Sequence, residues 1–301
     1  VKLFLDNSER IELNARDNDG RTAFMEACRY GRKDVVQLLL DNSKIIDFNA
    51  RPNYGSTAFI AACWNGDKDV VKLLLDHSNR IELNARNNDG WTAFMAACWN
   101  GHKDVVKLLV DHSDGIELNA RRIDGLTAFM VACRFGHKDV VKLLLDDNSE
   151  IIDLNARQNN GWTAFMLACR NGHKDVVKLL LDHSERINLN TRDIDGDSAF
   201  ILACDKGHKD VVQMLLENSN IDLKARDNRR YTAFMIACER GHKDVVQLLM
   251  DHSGIDLNVR DNIGRTALMI ASQRGLNDIF DILIFRYFCS CFNFSCFNSS
   301  C

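Results

Sequence analysis

The phrase Thr92-Ala93-Phe94-Met95-Ala96-Ala97-Cys98 decides the fold of this chain, because it occurs eight times with small changes between copies. The copies begin at Thr22, Thr57, Thr92, Thr127, Thr163, Ser198, Thr232 and Thr266. Successive starts are 34 to 36 residues apart, and self-similarity at such a period is typical of stacked repeat architectures. We therefore expect copies of one unit that pack on each other.

The composition is typical of folded, water-soluble proteins. Hydrophobic residues make up 46% of the chain and charged residues 27%, unlike disordered or membrane-embedded chains. The formal net charge is −4, and basic stretches alternate with acidic residues, so we expect no nucleic acid partner. We also expect no membrane span, no small-molecule substrate and no cofactor. The sequence thus predicts one soluble, monomeric repeat protein.

Seven of the eleven cysteines occupy the last position of the repeated phrase. They are Cys28, Cys63, Cys98, Cys133, Cys169, Cys204 and Cys238. Equivalent positions in neighbouring repeats lie roughly 8–10 Å apart, whereas a disulfide needs Cα atoms within about 7 Å. We therefore expect buried free thiols and a reducing, cytoplasmic location.

Each repeat divides into a turn and two helices. Residues 17–20, Asp-Asn-Asp-Gly, have the composition of a tight turn, and Thr22 suits the N-cap of a short helix over 23–29. Gly31 ends that helix. Residues 33–40 then place Val and Leu on one face, with an acidic residue in the first turn. The pattern predicts a helix pair in every repeat.

This order of elements resembles the ankyrin repeat over residues 1 to about 285. The order is a turn, Gly-x-Thr-x-x-x-x-Ala, a short helix, Gly-His and Asp-Val-Val-x-Leu-Leu-Leu. The resemblance implies an all-α repeat solenoid in which helix-turn-helix pairs and β-hairpin-like loops form a concave groove. It also implies a protein that binds other proteins and has no catalytic activity of its own. We therefore predict that the chain is not an enzyme.

The sequence predicts an ankyrin repeat domain over residues 1–288 and a Phe/Cys-rich tail over 289–301. The predicted boundaries are 1–15 for a partial repeat, 16–50, 51–85, 86–120, 121–156, 157–191, 192–225 and 226–259 for full repeats, and 260–288 for a divergent eighth repeat. The first sixteen residues match residues 71–86 at nearly every position, so the chain opens inside a helix. We interpret it as a fragment of a longer protein.

Three interpretations of the tail stay open. It is an apolar flap over the end of the stack, a membrane tether acylated on its cysteines, or a sequence without a selected role. Those cysteines are Cys289, Cys291, Cys296 and Cys301. The run is too short and polar to span a bilayer, and the caps of repeat stacks are normally polar. We favour the flap or the sequence without a role over acylation.

The chain departs from the family pattern at two places. Thr-Pro-Leu-His becomes Thr-Ala-Phe-Met or a near copy, so each repeat loses a Pro and a His, and seven of the eight gain a large aromatic ring. The rings are Phe24, Phe59, Phe94, Phe129, Phe165, Phe200 and Phe234, and we expect their burial to restore stability. Arg230 replaces a turn glycine, so that turn is expected to be irregular.

The residues that differ between copies are those that choose a partner. They lie at the tip of the hairpin-like turn, after the turn glycine and at the end of the first helix of each pair, the positions that face partners in the family. Our candidate partner-binding residues are Tyr54, Trp64, Trp91, Trp99, Leu126, Arg134, Phe135, Trp162 and Arg170. Exposed aromatic residues beside Arg are typical of binding hot spots, and we place the centre of the groove in repeats two to five. The alternative is that these rings only complete the packing between repeats.

Two further patterns have structural and functional interpretations. One Arg per repeat forms a ladder that is either an acidic-peptide track or, as we favour, a solvated structural feature neutralised by nearby acids. Its members are Arg16, Arg51, Arg86, Arg121, Arg157, Arg192, Arg226 and Arg260. Cys98 and His102, and four later pairs like them, have the spacing of a thiol and a base. Because a glycine separates them and the pair is repeated five times, we favour a buried thiol and a loop His.

The leading hypothesis is therefore a scaffold or adaptor that binds an unidentified protein on the concave face formed by the hairpins and the first helix of each pair. The alternative is the structural or regulatory ankyrin portion of a larger protein, such as an enzyme, a channel or a host-directed effector, whose activity lies outside this chain.

Overall fold

The computed structural model describes residues 12–42, 45–146 and 151–291, with residues 42 and 287–291 described by their backbone alone. Most of the predicted partial repeat over 1–15 and of the tail over 289–301 lies outside the described residues. The tail interpretations therefore stay predictions. The chain divides into a first unit, residues 1–159, and a second unit, residues 160–301.

Within the described residues, sixteen α-helices follow one another in pairs. The first unit contains α1 Ala23–Arg29, α2 Lys33–Asn42, α3 Ala58–Asn65, α4 Lys68–Asp76, α5 Ala93–Trp99, α6 Lys103–Val110, α7 Ala128–Phe135 and α8 Lys138–Asp146. The second contains α9 Ala164–Arg170, α10 Lys174–Asp182, α11 Ala199–Lys206, α12 Lys209–Leu216, α13 Ala233–Arg240, α14 Lys243–Asp251, α15 Ala267–Gln273 and α16 Asn277–Cys291. A short 3-10 helix spans Ser113–Gly115. This all-α stack of pairs confirms the predicted fold class.

The odd-numbered helices, which we call inner helices, are only seven or eight residues long. The Thr or Ser hydroxyl at the N-cap accepts a hydrogen bond from the backbone N–H three residues on, at 3.2–3.4 Å, in all but the last of them. Such short helices are marginal alone. In each unit, inner helices pack on neighbouring inner helices and the even-numbered outer helices pack on one another.

The repeated phrase supplies the core of both units. Its seven phenylalanines are each at most 2% exposed, as predicted. The seven cysteines of the phrase are buried. Burial raises the pKa of the thiols of Cys28, Cys63, Cys98, Cys133, Cys204 and Cys238 well above the ordinary value. Because the thiolate is the reactive form, these are structural cysteines.

The turn at Arg230 is regular, so the prediction of an irregular turn is wrong. Arg230 does have a positive φ of 64°. Its N–H donates to the Asp227 carbonyl at 2.9 Å, the bond that Gly20 makes to Asp17 in the first described repeat. The Asp227 carboxylate accepts hydrogen bonds from two further backbone N–H groups of the turn and so holds its shape.

Side chains also join neighbouring repeats along the turns. The Arg51 guanidinium donates to the Arg86 carbonyl at 2.8 Å and to the Glu82 carboxylate at 2.8 Å. Arg86 repeats both contacts one repeat on, with the Arg121 carbonyl at 2.7 Å and Glu117 at 3.1 Å. These contacts favour the structural interpretation of the Arg ladder.

An asparagine ladder that was not among the predicted features lies beside it. The Asn49 side chain donates to the Arg80 carbonyl at 3.0 Å and accepts from the Glu82 N–H at 2.8 Å. The same clamp recurs at Asn14, Asn84, Asn119 and Asn190. The signal in the sequence was an Asn that recurs once per repeat in Leu-Asn-Ala or a near copy such as Phe48-Asn49-Ala50, and periodicity alone does not reveal its role. At Lys224 the ladder has a Lys instead.

Candidate functional site

Four aromatic side chains of the first unit contact one another; we call Trp64, Trp91, Trp99 and Phe135 the aromatic row. The Trp64 and Trp99 rings stack with centroids 6.0 Å apart. Trp91 meets Trp64 at 6.2 Å and Trp99 at 5.0 Å, edge to face in both cases. The Trp99 and Phe135 centroids are 3.9 Å apart. The predicted aromatic cluster therefore exists over three consecutive inner helices.

The two kinds of position in the row differ in exposure. Trp64 lies near the end of α3, Trp99 and Phe135 end α5 and α7, and Trp64 is 46% exposed. Trp91 follows the turn glycine and is 7% exposed, because two Trp rings meet it edge to face and the Arg122 guanidinium lies 5.1 Å from its centroid. Trp91 thus fits the packing interpretation, and Trp64 does not.

The prediction that Leu126 lies on an exposed surface is wrong, since this side chain is fully buried. It also follows a turn glycine, and Ser56 and Tyr231, at the same position of other repeats, are buried too. A Leu side chain has no polar atom to leave in water, so burial is the favoured state. The position after the turn glycine is therefore largely a packing position in this chain.

Beside Trp64 the first unit has a depression of about 460 Å³ that is open to solvent. Tyr30 and Tyr54 line it and are 58% and 41% exposed, and Ile60 is among its buried lining residues. Arg21 and Arg29 complete the rim, and the Arg21 Nε donates to the Tyr54 hydroxyl at 3.2 Å. Tyr54 was a predicted site residue.

Tyr30 and Arg29 were not predicted, although both stand at the end of an inner helix. Glu26, one turn earlier on α1, is the carboxylate shared by Arg21 and Arg29. Its Oε1 is buried without a hydrogen-bond partner, 3.7 Å from Arg21 Nε and 3.8 Å from Arg29. Both distances are longer than a hydrogen bond, so the Glu26 carboxylate neutralises the two guanidiniums only weakly.

The other predicted site residues are divided between the units. Arg134 is exposed at the end of α7, with its guanidinium 5.7 Å from the Phe135 centroid. Trp162 and Arg170 belong to the second unit, are half-buried and pair with each other at 4.7 Å. The Trp162 Nε1 donates to the buried Asp193 at 2.7 Å. The contacts with Arg170 and Asp193 therefore hold the Trp162 ring against its own unit.

The second unit carries a network of acids and arginines in place of the aromatic row. Burial, followed by the negative charges of Asp193 and Asp227, raises the pKa of the Asp197 carboxyl to about 7. The Glu239 carboxylate lies 2.5 Å from Arg274 and 3.8 Å from Arg229. The pair with Arg274 joins neighbouring repeats, and the pair with Arg229 lies within one repeat.

The Cys/His pairs have a structural role in the described residues. The Nε2 of His102 donates to the Trp64 carbonyl at 3.0 Å, and that of His137 to the Trp99 carbonyl at 2.6 Å. His208 and His242 make the same bond one repeat back, to Arg170 and Asp205. Gly66 has a φ of 83°, and a Cβ there would overlap the His102 ring. Each of these His rings therefore stabilises the end of the inner helix in the previous repeat.

Among the described residues, no group of three or more His, Cys, Asp or Glu side chains is arranged to hold a metal ion. None of the helices described combines the length and the apolar character needed to cross a bilayer.

Comparison with protein families gives matches along nearly the whole chain. A model of ankyrin repeats, built from three copies, matches residues 1–87, 79–158, 150–227 and 220–292. No curated protein matches the chain. With eight copies of the phrase and stacked helix pairs in both units, the chain belongs to the ankyrin repeat family, whose members are generally protein–protein interaction modules.

Proposed function

We propose that the protein is a protein-interaction scaffold or adaptor, and that the inner surface of its first unit holds the partner. By inner surface we mean the ends of α1, α3, α5 and α7 and the turns before them. The observation that carries the proposal is Trp64, which is nearly half exposed beside two exposed tyrosines. Large aromatic side chains left in water at one place are typical of binding surfaces.

The aromatic row supports this proposal better than the packing interpretation alone. Packing accounts for Trp91, which is buried, but gives no reason to leave the Trp64, Tyr30 and Tyr54 rings exposed around one depression. Buried Trp91 then acts as a positioning residue that fixes the Trp64 and Trp99 rings. Of the predicted site residues, we keep Tyr54, Trp64, Trp99, Arg134 and Phe135 as the proposed contacts.

Further properties belong to the same proposal. The buried thiols support a reducing compartment such as the cytoplasm. The formal net charge of −4 supports a protein partner over a nucleic acid. We propose that the protein binds as a monomer and does no chemistry of its own.

The test is capture of binding proteins by the wild-type chain and by variants. Trp64→Ala and Tyr54→Ala remove exposed rings from the inner surface. Phe285→Ala removes a 71% exposed ring from α16 and is the matched control. We expect a captured protein to be lost by at least tenfold with the first two variants and retained with the third. Equal capture by all three would contradict the proposal and favour the alternative, a spacer portion of a larger protein.

A further inference from the structure

The charged residues among the described lining of the depression in the first unit are both arginines. Arg21 and Arg29 line it, and its other described lining residues are aromatic, aliphatic or neutral polar. Three carboxylates lie next to these arginines without lining the depression: Asp19 is 2.9 Å and Asp17 4.0 Å from Arg21, and Glu26 is 3.7 Å from Arg21 and 3.8 Å from Arg29. The depression therefore presents cations to an incoming ligand.

Arg29 is the less neutralised of the two arginines. Within the described residues, Arg29 forms an ion pair with Glu26 at 3.8 Å. The Arg29 side chain is 44% exposed. Its guanidinium also lies 5.7 Å from the centroid of the exposed Tyr30 ring. A guanidinium beside an aromatic ring binds a carboxylate through two parallel hydrogen bonds while the ring packs against apolar atoms.

The walls of the depression favour a flat or long apolar side chain. Tyr30, Tyr54 and Trp64 stand around it with large exposed fractions, and Ile60 and Trp91 are among its buried lining residues. Past Trp64, the aromatic row continues over the next two inner helices. A ligand that continues along the row is longer than a small molecule, which favours a stretch of polypeptide.

We propose that the depression anchors an acidic segment of the partner protein. One aromatic or long aliphatic side chain of that segment enters between Tyr54 and Trp64, and an Asp or Glu one or two residues away pairs with Arg29. The inference rests on the proposed function and adds the chemical class of the partner. A basic segment is disfavoured, because it would meet two guanidiniums.

The experiment uses a library of random twelve-residue peptides displayed on phage and selected against the full chain. Selected peptides are synthesised with a fluorescent label, and their binding is measured by anisotropy to wild-type protein, Arg29→Glu and Arg29→Gln. Lys72→Glu, which reverses an exposed charge on the outer helix α4, is the matched control. Thermal unfolding of each variant checks that it is folded.

We expect enriched peptides in which Asp or Glu accompanies an aromatic or long aliphatic residue. Arg29→Glu should weaken their binding at least tenfold, Arg29→Gln severalfold and Lys72→Glu by less than twofold. A peptide whose acids are replaced by Lys should bind Arg29→Glu better than wild type.

Enrichment of basic or neutral peptides, equal binding to wild type and Arg29→Glu, or no enrichment at all would overturn the inference. None of these results contradicts the proposed function if capture of a protein still requires Trp64 and Tyr54. Loss of that dependence is what would contradict the proposed function itself.

Discussion

At the residue scale, one residue type serves two purposes in this protein, and its position in the repeat decides which. Trp64 is near the end of an inner helix and is 46% exposed, whereas Trp91 follows a turn glycine and is 7% exposed. The amino acid supplies a large apolar ring in both cases. Its neighbours decide whether that ring stabilises the stack or remains available for binding.

The first prediction compares these two tryptophans. Trp91→Ala should lower the free energy of unfolding by about 3 kcal/mol or more, because it removes a buried ring from a packed cluster. Trp64→Ala should cost about 1 kcal/mol or less, because much of its ring is in water. Urea unfolding followed by circular dichroism measures both values. Equal costs for the two variants would contradict the division of roles.

The second prediction concerns Asp197. Its pKa rises from 3.8 to about 7 on folding, so the folded state holds the proton more tightly and stability falls as the pH rises from about 4 through 7. Asn cannot lose a proton, so Asp197→Asn should flatten this dependence and make the protein more stable than wild type above pH 7. Unfolding midpoints measured between pH 4 and 8 test this.

The matched control for that series is Asp244→Asn, which removes an exposed carboxyl from α14 of the same unit. Its pH profile should follow the wild-type profile. If Asp197→Asn also keeps the wild-type slope between pH 4 and 7, the cluster of Asp193, Asp197 and Asp227 does not destabilise the folded state.

At the scale of the element, each repeat is too small to be stable alone and is held by its neighbours. An inner helix of seven or eight residues has a hydroxyl cap at its start and, in several repeats, a His ring from the next repeat at its end. Asn and Arg side chains join the turns in the same way, from one repeat to the next. These bonds link residues about 35 positions apart.

The third prediction uses the gap in the asparagine ladder at Lys224. Lys224→Asn would let the side chain clamp the backbone of residues 254 and 256, as Asn190 clamps Asn220 and Asp222. We expect the free energy of unfolding to rise by about 1 kcal/mol, the typical net gain from such hydrogen bonds. Asn84→Ala, which removes an existing clamp, should lower it by a similar amount. Urea unfolding measures both; a loss of stability in Lys224→Asn would be the contrary result.

At the scale of the whole molecule, the same phrase forms the core of both units, but the two present different surfaces. The first unit has the aromatic row and the depression. The second has ion pairs that join its own repeats, such as Arg274 with Glu239. The uniform phrase stabilises the stacks, and the variable positions beside it give each unit its own binding character.

The fourth prediction follows from the shared core. All seven cysteines of the phrase should resist alkylation by iodoacetamide in the native protein and react fully in urea, because burial keeps them as thiols and out of solvent. Peptide mapping by mass spectrometry distinguishes them from the cysteines beyond residue 288. Rapid native alkylation at any of the seven would show that its repeat opens independently.

The sequence by itself determined the period, the helix pairs, the hydroxyl caps at residues such as Thr92, and the burial of Phe94 and Cys98. These features could be predicted because each follows from local spacing and residue chemistry, and because eight copies repeat the same signal. The general place of the binding surface, at the ends of the inner helices, came from the family resemblance.

Only the tertiary structure decided which side chains of that surface are available. Leu126 and Trp91 were predicted beside Trp64, yet the first two are buried and the third is exposed. The clamps made by Asn49 and His102 were likewise unpredictable, since each joins groups more than 30 residues apart. Exposure and hydrogen bonding at such positions depend on the neighbouring repeat, and a pattern within one repeat carries no information about that contact.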